Sequence, residues 1–236
     1  MLKVDAEDYS IVLAGAVFEV TRPDGSVFEL TTGTDGTVTS GFLVQGTYKV
    51  KEKIPPIGYE PNSEEYILEV SPLGGALKTI SNNPIKINIA GTKIWDDANN
   101  QDGKRPGKIT VNLLKNGNSV KSVEITLGAA GEWKYSFNDL RKYENGQEIK
   151  YTITENAVAE YTSQISGYNI TNSHTPEVIK ISGEKTWNDT DNQDGKRPEE
   201  ITINLLKNGT KIDSKVVKKS DGWKWKFEGL DKYENG

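Results

Sequence analysis

The chain has 236 residues, of which 34% are hydrophobic, and its 29 basic and 34 acidic residues give a formal net charge of -5. The basic residues are scattered rather than gathered in a stripe, which argues against a nucleic-acid partner. The sequence holds no cysteine and a single histidine, which excludes disulfides, thiol nucleophiles and cysteine-based zinc sites. We expect that histidine, His174 in the run TNSHTP, to be a loop residue rather than a catalytic base.

The first segment alternates turn signals with short runs of β-branched and aromatic residues. PDG, TDG and QG separate the runs, and IPPIGYEP is predicted to be an extended loop because each proline biases its predecessor away from helix. The predicted strands are AVFEV, SVFEL, TVTSGFL, TYKVKE and ALKTISN, followed by NPIKINIA as a connector. No stretch has a sustained helical period, so the segment is predicted to be an antiparallel β-sandwich.

The rest of the chain is a tandem repeat. Residues 91–117 return as residues 183–209, with 19 of 27 positions identical at a spacing of 92 residues. A period of that length indicates an array of small domains rather than one large fold. Alternating apolar residues predict paired strands in both copies, and their aromatic stripes fit a half-buried strand better than an exposed carbohydrate platform. These stripes are Trp133, Tyr135 and Phe137, then Trp223, Trp225 and Phe227.

We therefore predict an all-β protein of tandem antiparallel β-sandwiches. The predicted domains are residues 1–88, 89–177 and 178–236, the last one C-terminally incomplete because nothing follows its YENG turn. No apolar run is long enough to cross a membrane as a helix, and we interpret the chain as part of a longer protein.

Three short patterns recur in the same order: a lysine on an early strand, then Tyr-x-Val/Ile-x-Glu, then Ile-x-Asn. Since side chains alternate faces along a strand, each glutamate and asparagine shares a face with apolar neighbours. The lysine and asparagine are 79 residues apart in both complete segments, which favours Asn82 over Asn83. The resulting candidates are Lys3, Glu52 and Asn82, then Lys93, Glu155 and Asn172, with Lys185 alone in the third segment.

Burying an ammonium, a carboxylate and a carboxamide together suggests chemistry between them. Desolvation lowers the pKa of a lysine and raises that of a carboxyl group, which produces the neutral amine needed to attack a carboxamide. The glutamate could hydrogen-bond the asparagine carbonyl and move protons, and the product would be a Lys-Asn isopeptide bond. The alternatives are a plain ion pair with a hydrogen-bonded asparagine, or unrelated half-exposed strand residues.

At these residues the chain resembles known families. LKVDAED, LAGAVFEV and GTYKVKEKIPPIGY resemble the prealbumin-like, pilin-type B domain of Gram-positive surface proteins. GTKIWDDANNQDGKRP, ITVNLLKNG and LRKYENGQEIKYTITE are similar to the collagen-adhesin B-type (Cna-B) repeat. The resemblance implies a prealbumin-like, reverse-immunoglobulin-like fold and autocatalytic cross-links. It pairs Lys3 with Asn82 through catalytic Glu52, and Lys93 with Asn172 through catalytic Glu155, and it leaves Lys185 unpaired.

From the residues and the resemblance together we expect a stalk of self-cross-linked sandwiches in an extracellular adhesin on a bacterial cell wall. The expected partner is host extracellular matrix, engaged through a distal domain outside this sequence. We expect a monomer that uses no cofactor and is not an enzyme beyond its own cross-linking. The rival hypotheses are that these domains bind the host ligand themselves, or that they are accessory domains of a secreted enzyme.

The repeated loop NQDGKRP also partly resembles a calcium-binding loop. Asp102 and Asn100 fit an EF-hand spacing, but Ala98 occupies the first ligand position, and Thr190 does so in the next repeat. We therefore predict an Asx-turn loop that precedes a strand and no metal site.

Overall fold

A computed structural model describes all 236 residues, as nineteen strands and two 3-10 turns. Residues 1–85 contain β1 Leu2–Asp5, β2 Val17–Thr21, β3 Val27–Thr31, β4 Gly46–Ile54, β5 Glu65–Val70 and β6 Thr79–Asn82. The next strands are β7 Lys86–Asp96, β8 Lys108–Lys115, β9 Asn118–Thr126, β10 Trp133–Arg141, β11 Tyr143–Glu144, β12 Gln147–Glu148, β13 Tyr151–Glu155, β14 Thr162–Ser166 and β15 Asn169–Ser173. The last are β16 Val178–Glu184, β17 Glu200–Lys207, β18 Thr210–Lys218 and β19 Lys224–Asp231, with 3-10 turns at Thr190–Asn192 and Lys219–Asp221.

The prediction of an all-β chain is confirmed. None of its helical turns has the length or apolarity to cross a membrane. Backbone contacts divide the chain into two compact units, one of residues 1–92, 108–156 and 165–170, the other of residues 93–107, 157–164 and 171–236.

In the first segment, four antiparallel strands form a sheet in the order β3-β2-β4-β5, and β1 pairs with β6 in parallel. Burial alternates along β2 and β4, so one face of the sheet is covered. The core on that face consists of Ala16, Phe18, Val20, Tyr48, Val50 and Ile80. This core brings β4 against the β1–β6 pair, where the candidate residues lie.

One predicted strand of this segment is wrong, and one observed strand was not predicted. TVTSGFL forms no strand: residue 37 makes one isolated bridge to Leu2, and the rest is irregular, with the Phe42 side chain fully exposed. The run EYILEV, which the sequence analysis passed over, forms β5 at the edge of the sheet. Its Tyr66, Leu68 and Val70 pack against the core from one face, since they recur at the period of a strand.

NPIKINIA is not a separate connector, because its residues from Lys86 onward begin β7, an eleven-residue strand that continues to Asp96. In the middle segment the strand orders are β10-β7-β15-β14 and β13-β8-β9, and β11 and β12 form a small hairpin. The predicted YENG turn is confirmed: Asn145 and Gly146 have φ of 50° and 74°, as a two-residue hairpin turn requires. The aromatic stripe of β10 is buried, as expected. Strands β9 and β14 were not predicted.

The third segment consists of two antiparallel pairs, β16–β19 and β17–β18. The side chains of Trp223 and Phe227 are buried, whereas most positions of β16 and β18 are exposed. Strand β16 ends at Glu184, so Lys185 lies just outside it. The expectation that Lys185 sits on a strand is therefore wrong.

Within the first unit, a buried carboxylate of the first segment is bound by an arginine of the middle segment. Arg141 Nη1 donates to Asp5 Oδ2 at 2.5 Å and Arg141 Nη2 to Asp5 Oδ1 at 3.1 Å. Tyr59 Oη also donates to Asp5 Oδ2, at 2.8 Å, and the backbone amides of Glu7 and Asp8 complete the set. Burial would raise the pKa of Asp5, but these donors outweigh it and lower it to about 2.

Replacing Arg141 by alanine should destabilise the first sandwich by about 3 kcal/mol, because breaking a buried pair leaves the carboxylate of Asp5 short of its main partner. This is the lower end of that cost, since Tyr59 and two backbone amides remain. Native-state hydrogen exchange of β1 and β6 measures the change. The control is Lys108→Ala, which removes an exposed ion pair with Glu124 and should cost less than about 1 kcal/mol.

The same variant carries a pH signature. A folded-state pKa below the unfolded one means that Asp5 stabilises the fold above about pH 3.8. That contribution is lost as the pH falls through the folded pKa of about 2. The stability difference between the parent chain and Arg141→Ala should therefore shrink toward pH 2. A difference independent of pH would contradict this account.

Candidate cross-linking site

The first candidate set is built by the parallel pair of β1 and β6. Lys3 is in register with Ile80, and Asp5 with Asn82, so Lys3 and Asn82 lie diagonally on one face of the pair. Glu52 is the last of the three buried residues of β4, after Tyr48 and Val50. The alternation read from the sequence thus holds, and Asn82 is buried whereas Asn83 is exposed.

The three side chains meet in the interior. Lys3 Nζ lies 2.9 Å from Glu52 Oε1, and Asn82 Nδ2 donates to Glu52 Oε2 at 2.8 Å. The exposed fractions of Lys3, Glu52 and Asn82 are 0%, 8% and 2%. A single carboxylate therefore contacts both the amine and the carboxamide.

The pocket favours the neutral form of the Lys3 amine more strongly than bulk water would. Burial lowers the pKa of Lys3, and the hydrogen bond and charge of Glu52 only partly oppose this. The ring of the fully buried Phe18 is 5.5 Å from Lys3 Nζ. The uncharged form of the lysine nitrogen is thus favoured at a site where the same carboxylate also contacts the carboxamide of Asn82.

One expectation about the site is wrong. We expected the glutamate to bond the asparagine carbonyl, but Glu52 Oε2 accepts from the amide nitrogen of Asn82. The same Nδ2 also donates to the backbone carbonyl of Glu60 at 2.8 Å, and Asn82 Oδ1 has no hydrogen-bond partner. This contact of Glu60 could not be predicted from the sequence, because every residue has the same backbone carbonyl.

For the second set, the structure places Lys93 and Asn172 on the neighbouring strands β7 and β15. Both are buried, as the pattern predicted, and the ring of Trp95 lies 4.4 Å from Lys93 Nζ. Glu155 ends β13, in register with Val111, and is half-buried.

Lys185, in contrast, is exposed. Its Nζ lies 4.7 Å from the ring of Trp187, and its backbone amide donates to Trp223. Strand β19 is the last strand of the structure, and no counterparts of β13 and β15 lie beside Lys185.

The NQDGKRP loop is a hydrogen-bonded scaffold in both copies. The Asn100 amide donates to Asp97 Oδ1 at 3.0 Å, and the Lys104 amide donates to Asp102 Oδ1, two residues before it, at 3.4 Å, which is the predicted Asx turn. Arg105 donates hydrogen bonds to the carboxylate of Asp97 from Nε at 2.9 Å and from Nη2 at 2.6 Å. The copy repeats this with Arg197 on Asp189, at 2.8 Å and 2.6 Å. The sequence analysis missed the arginine–aspartate pair, although an identical spacing of eight residues in both copies was a visible signal.

His174 is a loop residue, as expected, but it is half-buried rather than exposed. Its Nε2 lies 2.7 Å from Asp102 Oδ2, and its Nδ1 is 2.9 Å from the carbonyl of Glu160. The hydrogen bond to Asp102 raises the pKa of His174 above its usual range and outweighs the opposing effect of burial. Asp102, which fitted the calcium spacing, is thus a partner of this histidine.

An NMR titration of the single imidazole should give a midpoint above the usual value of about 6.5. Asp102→Asn should lower that midpoint, because it removes the charge that favours the imidazolium. The matched control is Asp194→Asn in the other repeat, where no histidine follows, and it should leave the midpoint unchanged. The pair contributes stability that is present below about pH 6.5 and is lost as the pH rises through the raised pKa. An unshifted midpoint in the parent chain would rule the ion pair out.

Comparison with known families places this geometry in context. The family model described as "Cna protein B-type domain" matches residues 89–173 and 181–236, and the one described as "Prealbumin-like fold domain" matches residues 1–84. The collagen adhesin of Staphylococcus aureus is 39% identical over 193 residues, which are 81% of this chain and 16% of that protein.

The chain is also similar to proteins of solved structure. A crystal structure of two B repeat units of the collagen binding protein of Staphylococcus aureus is 33% identical, covering 94% of this chain and 61% of that one, with a TM-score of 0.43. The Bacillus anthracis TIE protein is 21% identical, covering 96% of this chain and 42% of that one, with a TM-score of 0.54, and is similar in fold.

Proposed function

The chain belongs to the family of Cna protein B-type domains, and on that premise we propose that it is a stalk region of a bacterial surface adhesin, stiffened by intramolecular Lys-Asn isopeptide bonds. The observation that carries the proposal is the buried contact of Glu52 with both Lys3 and Asn82. Such a stalk would hold a distal ligand-binding domain away from an extracellular cell-wall surface.

The energetics of the buried set support a covalent role. A buried ion pair is often no better for stability than apolar residues of the same volume, so stability alone gives little reason to keep one. An asparagine in contact with that pair adds a third polar group that must be satisfied. In the cross-linked product the lysine nitrogen is part of a neutral amide, which removes the cost of burying an ammonium group.

The geometry supports a simple reaction. The neutral amine of Lys3 attacks the carboxamide carbon of Asn82, the new Nζ–Cγ bond forms, the Cγ–Nδ2 bond breaks, and ammonia leaves. Glu52 moves the proton between the two nitrogens that its oxygens contact. Holding the groups together in the fold supplies orientation worth up to about 7–11 kcal/mol of the barrier. The same roles are proposed for Lys93, Asn172 and Glu155.

A stalk needs resistance to tension. A bond from β1 to β6 would join the first and last strands of the first sandwich and shield the residues between them from load. In the unfolded chain, closing a loop of that length removes entropy worth about 4.5 kcal/mol, by analogy with a disulfide. A chain without cysteine gains this independently of redox conditions.

The proposal includes the setting of the protein. We infer an extracellular, cell-wall location on a Gram-positive bacterium, a monomeric stalk, and host extracellular matrix as the partner of the parent protein through another domain. The chain acts on itself alone, with no external substrate and no cofactor.

Intact mass spectrometry tests the cross-links directly. The purified chain should weigh less than its sequence by two ammonia molecules, one from each complete site. Glu52→Gln and Glu155→Gln should each restore one ammonia mass, because glutamine keeps the shape but cannot move the proton. The control is Glu65→Gln, at an exposed ion pair with Lys49, which should leave the deficit of two unchanged.

An undiminished mass of the parent chain would overturn the proposal. Loss of a third ammonia would contradict the assignment of Lys185 as unpaired. Peptide mapping should locate the bonds at Lys3–Asn82 and Lys93–Asn172.

A second candidate function is supported by an apolar cleft in the first segment. A cavity of about 600 Å³ opens between the loops of residues 38–43 and 71–77, and the core residues Tyr48 and Val50 line its floor. Phe42, Leu73 and Leu77 are almost fully exposed at its rim. Apolar residues gathered at a surface often mark a binding site, so this segment is the place where the domains could engage a matrix protein themselves.

Collagen, named for the relative, is the probe for this alternative. If the segment binds it, surface plasmon resonance should show saturable binding that Phe42→Ser and Leu77→Ser weaken at least about tenfold, since each removes exposed apolar area of the kind that anchors interfaces. Ile67→Ser, on the outer face of β5, is the control. Absence of binding by the parent chain would leave the stalk as the function.

A further inference from the structure

We propose that the loop between β4 and β5 is a working part of the first cross-linking site: the Glu60 carbonyl and the Asn62 amide N–H orient Asn82 and Glu52 so that Glu52 delivers its proton to the leaving nitrogen. The inference rests on the proposed function and adds positioning groups that the lysine, glutamate and asparagine pattern does not contain.

The first contact fixes the carboxylate. The backbone amide of Asn62 donates to Glu52 Oε2 at 2.7 Å, and Lys3 Nζ lies 2.9 Å from Oε1. The two oxygens of Glu52 therefore have different partners. One faces the attacking nitrogen, and the other faces the carboxamide and the loop.

The second contact decides which way the carboxamide points. Asn82 Nδ2 lies 2.8 Å from the Glu60 carbonyl oxygen and 2.8 Å from Glu52 Oε2. A backbone carbonyl can only accept a hydrogen bond, so the amide atom that faces it must be the nitrogen. Reversing the carboxamide would set two oxygens against each other. Glu60 thereby turns the nitrogen, and not the carbonyl oxygen, toward Glu52.

The loop is itself held against the strand that carries Asn82. Tyr59 bridges Pro84, and the Glu60 amide donates to the Asn83 carbonyl at 2.8 Å. The side chain of Asn62 donates to the Ser81 carbonyl at 3.1 Å. Pro61 also restricts Glu60 to an extended conformation. These contacts tie the positioning groups to the strand that carries Asn82.

This arrangement defines the path of each proton. The reaction starts with the amine of Lys3 neutral and Glu52 carrying one proton, on Oε2. As Lys3 Nζ bonds to Asn82 Cγ, the C=O electron pair moves to Oδ1 and Nδ2 regains its lone pair. Oε1 then takes a proton from Nζ while Oε2 gives its proton to Nδ2, so the carboxyl group never carries two protons. The C=O bond re-forms, the Cγ–Nδ2 bond breaks and ammonia leaves, with the departing nitrogen still hydrogen-bonded to the Glu60 carbonyl.

The test follows the full chain from synthesis. The chain is made by cell-free translation and quenched at intervals, and peptide mass mapping gives the rate of bond formation at each site. Asn62→Pro removes the N–H donor, and Asn62→Ala keeps it while losing the side-chain contacts. The second site, Lys93–Asn172, is the internal reference in every sample.

Asn62→Pro should slow the first bond by about ten- to hundredfold, the usual effect of losing one positioned donor at a reacting centre, and leave the second bond unchanged. Asn62→Ala should remain within about threefold of the parent chain, because its donor is intact.

A second variant covers the case in which proline disturbs the fold. The α-hydroxy acid analogue of asparagine, introduced at position 62 during the same translation, replaces only the N–H by an oxygen and should reproduce the slowing. Equal rates in the parent chain and the ester, or equal slowing by Asn62→Ala and Asn62→Pro, would overturn the inference. A parent chain that never forms the first bond would instead overturn the proposed function.

Discussion

A lysine with no exposed surface, set against a glutamate, is the constraint on which the first sandwich depends. An ammonium group in such a place is costly unless its charge is matched, so β1, β4 and β6 must converge to bring Glu52 and Asn82 to Lys3. The apolar core, from Phe18 to Ile80, surrounds this polar set and excludes water from it. The same burial also lowers the pKa of Lys3, as the proposed reaction requires.

Polar groups elsewhere are arranged to hold loops and ends rather than to react. Asp5, two residues from Lys3, is satisfied by Arg141, Tyr59 and backbone amides, so a second buried carboxylate near the site is fully occupied. The NQDGKRP loop uses an arginine on an aspartate in both of its copies. In each case an arginine fork bonds both carboxylate oxygens, which fixes the loop geometrically as well as electrostatically.

The sequence predicted the burial of the candidate polar residues better than it predicted the strands. Alternation along TYKVKE and TISN was enough to predict that Glu52 and Asn82 are buried, because successive residues of a strand point to opposite faces. It was not enough for TVTSGFL, which has strand-like composition but forms no sheet, or for EYILEV, which forms an edge strand. Strand formation depends on a neighbouring strand being present to receive the hydrogen bonds, and composition does not report that.

The sequence by itself determined the all-β class, the repeat, the family and the burial of Lys3, Glu52 and Asn82, because each is encoded in periodicity, spacing or residue type. Only the tertiary structure decided how those residues face one another. The orientation of the Asn82 carboxamide depends on the Glu60 carbonyl, and the position of Glu52 on the Asn62 amide. Backbone groups are the same at every residue, so their role appears only when the fold brings a particular one within hydrogen-bonding distance.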